Sequence, residues 1–184
     1  MNLWLRVLWL LLSARRRGPL RLPEESSTLL FRVWPHDLDL SLHMNNGRYL
    51  TVMDLGRLDV MVRSGLWRAA VRHRWTPIAG AIAIRFRREL RRFQTYRLET
   101  RLVCWDRTLV VMEQAFVIDS GEREGQVAAR ALFKGGIYDR KARAFVTIAR
   151  LMQEIGVSAV SPEPTEEVAA FLKADDTLRQ SAET

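Results

Sequence analysis

The chain has 184 residues but holds one cysteine, three histidines and three lysines. A lone thiol, Cys104, excludes an internal disulfide framework and suits a reducing compartment. The alternating pattern around Cys104 marks it as a core thiol, because unpaired cysteine behaves as a small buried hydrophobe. His36, His43 and His73 stand far from any cysteine pair, so no zinc spacing is present and no metal is expected. No apolar run reaches the roughly 18 residues that would read as a membrane span. Internal repeats are also lacking.

The scarcity of lysine shapes the charge. The formal net charge is +8, and every base except Lys134, Lys141 and Lys173 is arginine. Such basicity serves nucleic acid, anionic lipid or a phosphorylated ligand such as coenzyme A, or else forms a solvated arginine-rich exterior. Nucleic acid is not expected as a partner. The bases are spread through predicted strands, and no recognised nucleic-acid motif accompanies them.

Residues 3–12 are apolar except for Arg6, a length about half that of a spanning helix. Arg15, Arg16 and Arg17 follow the apolar stretch, the reverse of the order in a signal peptide. Two placements fit residues 1–17. One is an interfacial helix with its arginines near anionic headgroups, which would make the protein cytoplasmic and peripheral on a membrane. The other is a helix docked on its own domain or on a partner subunit. Residues 18–28, with Gly18, Pro19 and Pro23, read as a linker to a domain over 29–157, and 158–184 read as a C-terminal helix and tail.

Within the domain, Leu29 to Trp34 reads as a short strand closed by Pro35. Helical spacing over Gly47 to Gly65 is apolar on most sides, which marks a helix buried on most sides. Asn45 or Asn46 supplies its cap, and Gly65 its stop. Period-two alternation then predicts strands over 78–86, 96–105, 109–118 and 126–138, arranged as an antiparallel meander because their connections are too short for helices. In that arrangement Arg85–Arg92 form a strand end and hairpin. Short helices are expected over 147–156 and 166–174, and the last ten residues are expected to fray.

The densest chemistry lies just before the long helix. Asp37 to Asn46 hold two carboxylates, one imidazole and two amides. A helix N-terminus offers unpaired N–H groups and a positive dipole end. A carboxylate beside it can attack an acyl group, or activate water to do so, while the acyl oxygen rests on those N–H groups.

This motif, Asp37-x-Asp39-x-x-x-His43-Met44-Asn45-Asn46-x-x-Tyr49, resembles the signature of one branch of the hotdog-fold acyl-CoA thioesterases, within the 4-hydroxybenzoyl-CoA thioesterase-like superfamily. The resemblance covers about residues 28–140. It implies an α+β hotdog fold, a curled antiparallel sheet around one long central helix, with accessory helices at both ends. It implies hydrolysis of an acyl-CoA or acyl-carrier-protein thioester by a homodimer or homotetramer, without cofactor or metal. Asp39 falls on the catalytic carboxylate, as nucleophile or general base, and the backbone N–H near Asn46 on the oxyanion site. His43 would orient the carboxylate or water, Asn45 and Tyr49 are candidates for substrate binding, and Tyr49 would pack against the acyl chain or the motif loop. Asp37 reads as a turn cap. Arg91 and Arg92, in the densest basic stretch, are candidates for the phosphates of coenzyme A. The chain departs from some relatives at Ser41, where plant acyl-carrier thioesterases carry asparagine, and at Asn46, where some bacterial relatives carry histidine. The competing reading is a non-catalytic acyl-binding or membrane-associated protein on the same scaffold.

Overall fold

The structure, a computed structural model, describes residues 3–182. The chain begins with helix α1 (Leu3–Arg17), strand β1 (Ser27–Arg32), helix α2 (Asn46–Ser64) and helix α3 (Leu66–His73). There follow β2 (Trp75–Phe86), β3 (Thr95–Trp105), β4 (Leu109–Ile118), β5 (Val127–Asp139) and the short β6 (Ala144–Phe145). Helices α4 (Ile148–Glu154) and α5 (Glu166–Ala182) complete the described chain. This is the expected α+β hotdog architecture, a curled antiparallel sheet with helices.

The sheet order is β1-β3-β4-β5-β2, with β6 on β5. The expected meander therefore holds only for β3, β4 and β5, and β2 pairs with β5 rather than β3. Arg85–Arg92 consequently do not form a hairpin. Residues 87–94 cross the opening of the sheet, held where Arg87 and Arg88 N–H donate to the Ala128 carbonyl and Met44 N–H to that of Leu90. Leu90 is fully buried in the middle of this crossing, which draws the segment inward and prevents a tight turn.

Helix α2 buries Val52, Met53, Leu55 and Val60, each worth about 1.5–3 kcal/mol by removal from water. Gly56 lets it approach the sheet closely: a Cβ there would lie 2.8 Å from Gln114 Nε2 and nearer still to Thr100 Oγ1. Gln114 is satisfied on both sides, donating to the Met53 carbonyl at 2.9 Å and accepting from Arg57 at 2.6 Å. Gly65, at φ 89°, ends α2 as expected, but the chain re-enters a helix at once as α3, which the expected stop obscured. Helix α5 is continuous to Ala182, so the expected fraying is not seen there; residues 183–184, like 1–2, lie outside the described residues.

Helix α1 docks on the domain. Arg6, Leu10 and Ala14, spaced four apart, form its buried stripe. Arg6 pairs with Asp37, and at the other end Arg17 pairs with Asp59 at 2.8 Å. Only Arg15 and Arg16 of the terminal cluster face outward, because Asp59 draws Arg17 in. Asp59 also accepts from Ser27 at 2.6 Å, tying β1, α1 and α2 together.

Candidate active site

The motif is a small closed loop placed before α2. A bridge between Leu38 and Met44 brings its two arms together, and a second bridge joins His43 to Arg91 of the crossing segment. Asp39 N–H donates to the His43 carbonyl at 3.0 Å, and Leu42 N–H to the Asp39 carbonyl at 3.1 Å. The turn carries Leu42 at φ 59°, a left-handed conformation that costs a side-chain-bearing residue about 1–2 kcal/mol.

That turn sets the geometry of Asp39. Its Oδ1 accepts from Ser41 N–H at 2.9 Å, while Oδ2 lies 3.3 Å from His43 Nδ1. The two side chains are 26 % and 33 % exposed, so the pair is sheltered yet open to solvent and ligand. Asn45 caps α2, its Oδ1 accepting from Gly47 N–H at 2.8 Å. Arg48 N–H is taken by the Asn45 carbonyl. Asn46 is the first residue of α2, so its N–H is among the donors that have no partner within the helix. The structure thus gathers Asp39, His43, Asn45 and Asn46 in one loop at a helix N-terminus.

Asp37, two residues before Asp39, plays a different part. It is fully buried, and Oδ2 pairs with Arg6 while accepting from Trp34 N–H at 3.0 Å. Arg48 reaches Oδ1 at 3.2 Å, and the Asp37 carbonyl accepts from Asn45 N–H. Every acceptor is occupied by scaffold, so this carboxylate fixes the loop. The sequence assigns Arg6 no partner, and its interruption of an otherwise apolar helix is the signal that it has one.

Tyr49 is a core residue, edge-on to Phe86 and Phe116 at 5.1 and 4.8 Å. Burial pushes its phenol up to about 12, with an opposing hydrogen bond from the Leu90 backbone. It does not face open space, because the sheet closes over the first turn of α2. Arg91 is exposed and bonded to Glu89 at 2.8 Å, and Arg92 lies 4.5 Å over the Phe93 ring. The hydrogen bond and charge of Arg91 lower the Glu89 carboxyl below its ordinary range. Arg91 and the motif meet through the backbone, at His43.

An apolar cavity of about 230 Å³ lies along the other half of α2. Met61, Ile78, Met112 and Phe133 line it, with Gly135 and Gly136 on β5. Asp54 and Arg57 form an ion pair on its wall, and burial lowers the Arg57 guanidinium. Asp39 and His43 do not line this cavity. Sequence pattern does not single out Asp54 or Arg57, since polar residues three apart along a helix read as its solvated side.

A family model for the thioesterase-like superfamily matches residues 33–172. Protein THEM6 of Xenopus laevis is 44% identical over 85 residues, 46% of this chain and 41% of that protein. The corresponding zebrafish match spans 58% of its protein, so the chain covers about half the length of these curated relatives. Among solved structures, a probable thioesterase of Escherichia coli, YbaW, superposes with a TM-score of 0.63 at 23% identity, covering 70% of this chain and 95% of that one. The 4-hydroxybenzoyl-CoA thioesterase of a Pseudomonas strain gives 0.62 at 17% identity, covering 70% and 98%. On the match to its family model and the fold that carries it, the chain belongs to the thioesterase-like superfamily.

Proposed function

We propose that this protein hydrolyses an acyl thioester, of coenzyme A or an acyl carrier protein, to a carboxylic acid and a thiol. The observation that carries the reading is Asp39, held by Ser41 N–H and His43 at the entrance to α2. As a general base, Asp39 takes a proton from water as the water oxygen bonds to the acyl carbon. The tetrahedral intermediate then collapses, the C–S bond breaks, and the proton leaves with the thiol. As a nucleophile, the carboxylate instead displaces the thiol, and water cleaves the resulting anhydride. In either route the carbonyl oxygen gains charge, and the N–H of Asn46 at the positive end of α2 donates to it; that Asn46 opens the helix supports this role.

The acyl chain is assigned to the apolar cavity, supplied by a second copy of the chain. Strand β2 is a long edge with Ile78, Ile82 and Phe86 exposed and no lysine to blunt it, the kind of edge that a homodimer covers. Tyr49 packs on Phe86, so the start of α2 lies beside the end of β2. Pro77, Ile78 and Ala79, at its beginning, line the cavity. Antiparallel pairing of β2 with its copy therefore carries the motif of one protomer toward the cavity of the other.

Thiol release from acyl-CoAs of graded chain length tests the reaction, with Asp39→Asn expected to lose about 10²-fold or more. Undiminished turnover in that variant would discard Asp39. Binding without turnover at any chain length would favour the non-catalytic acyl-binding reading. Ile82→Lys is expected to yield monomers by analytical ultracentrifugation and to lose turnover with the motif intact. A fully active monomer would remove the shared site.

A further inference from the structure

We infer that α1 lies flat on an anionic lipid surface while it remains docked on the catalytic domain. The inner face of α1 is committed: Arg6 and Arg17 are spent on Asp37 and Asp59, and Leu10 and Ala14 are buried. These contacts at both ends fix which side chains point outward. The outward set is Trp4, Leu5, Leu8, Trp9, Leu11 and Leu12, of which Trp4 is 76 % and Leu12 67 % exposed. On a helical wheel they fall on one side, opposite the Arg6–Leu10–Ala14 stripe. A helix with apolar residues on both faces has a second surface to cover.

Charge selects the occupant. Arg15 and Arg16 stand exposed at the end of this face, and the sequence has no acidic residue from Leu3 to Pro23. A second copy of the same face offers these cations nothing to pair with. Anionic headgroups do, because arginines near a negative surface are attracted to it, while tryptophan and leucine enter the boundary below. A 15-residue helix spans about 22 Å, short of a bilayer core, and no described helix is long and apolar enough to cross a membrane. The helix therefore lies along the surface.

The motif loop shares that end of the molecule. Arg6 holds Asp37, and Leu40 and Leu42, a few residues on, are exposed at the loop tip. Lipid docking places the Asp39 loop near the water–lipid boundary. Only this last consequence rests on the thioesterase reading; vesicle binding itself does not.

Co-sedimentation of the full chain with vesicles of phosphatidylcholine, alone or mixed with phosphatidylglycerol, tests the inference. Binding is expected to the anionic vesicles and to weaken as salt screens the arginines. The double variants Leu8→Ser/Leu12→Ser and Arg15→Glu/Arg16→Glu are each expected to lose about tenfold or more in partitioning. Their thermal unfolding should match the parent, since these side chains face away from the domain. Absence of binding to anionic vesicles, or equal binding by both variants and the parent, would overturn it. So would lipid-free self-association that the variants abolish, which would give the face to a second copy.

Discussion

Arg6 of α1 and Asp37 of the motif loop form an ion pair in which the two side chains are 3 % and 0 % exposed. The pair joins the first helix of the chain to a loop that begins some thirty residues later. Water is excluded on both sides, so neither charge can be left alone cheaply.

Arg6→Met strands a buried carboxylate. Breaking a buried pair in this way costs about 3–5 kcal/mol, and the low end applies because Arg48 and Trp34 N–H remain on Asp37. Urea denaturation is expected to show that loss. Arg6→Met/Asp37→Asn should recover part of it, and a double variant no better than the single would remove the ion pair as the cause.

Gly56→Ala sets helix propensity against packing. Alanine gains about 1 kcal/mol in a helix interior, but its Cβ would overlap Thr100 Oγ1 and Gln114 Nε2. Overpacking costs about 1–3 kcal/mol, more where a bonded polar pair must move. A lower midpoint in thermal unfolding is expected. A higher one would mean that α2 can shift away from the sheet.

Leu42→Gly works in the opposite direction. Glycine adopts the φ of 59° without strain, and the exposed leucine loses little packing. Relief of about 1–2 kcal/mol is partly offset by greater freedom in the unfolded chain. A net gain of about 0.5–1 kcal/mol is expected from chemical denaturation. A loss would show that Leu42 is held by contacts beyond its own loop.

Acid stability should depend on Glu113. Burial tends to raise its carboxyl, but hydrogen bonds and charge from Arg101 and Arg130 outweigh this and hold it below the ordinary range. A depressed folded value stabilises the native state above the unfolded carboxyl value, roughly 4.3. That stability is lost as pH falls through the lower folded value. Denaturation between about pH 5 and about pH 2 should therefore be less steep in Glu113→Gln. An identical slope would assign the acid transition to other carboxylates.

The long helix, a cap at Asn45 or Asn46, strand Leu109–Ile118 and the strand around Cys104 were legible because each rests on local rules: side-chain period, cap chemistry and loop length. The meeting of the Asp39 and His43 side chains was legible because the two residues lie four apart in one loop. Arg6, Leu90 and Gly56 were not. Their importance depends on groups 31 to 58 residues away, and no periodicity encodes such meetings. The same holds for Tyr49, placed in the core by Phe86 and Phe116.

Sequence alone determined the fold class and the candidate motif, because the alternation that buries a strand face and the carboxylate spacing at a helix start are written in consecutive residues. Tertiary structure decided the rest. Only sheet order shows that β2 is an edge and that residues 87–94 cross the sheet, since strand pairing depends on which edges meet after collapse. Only the folded chain turns Arg17 inward and leaves Arg15 and Arg16 outside, because the carboxylate that chooses between them, Asp59, lies on another helix.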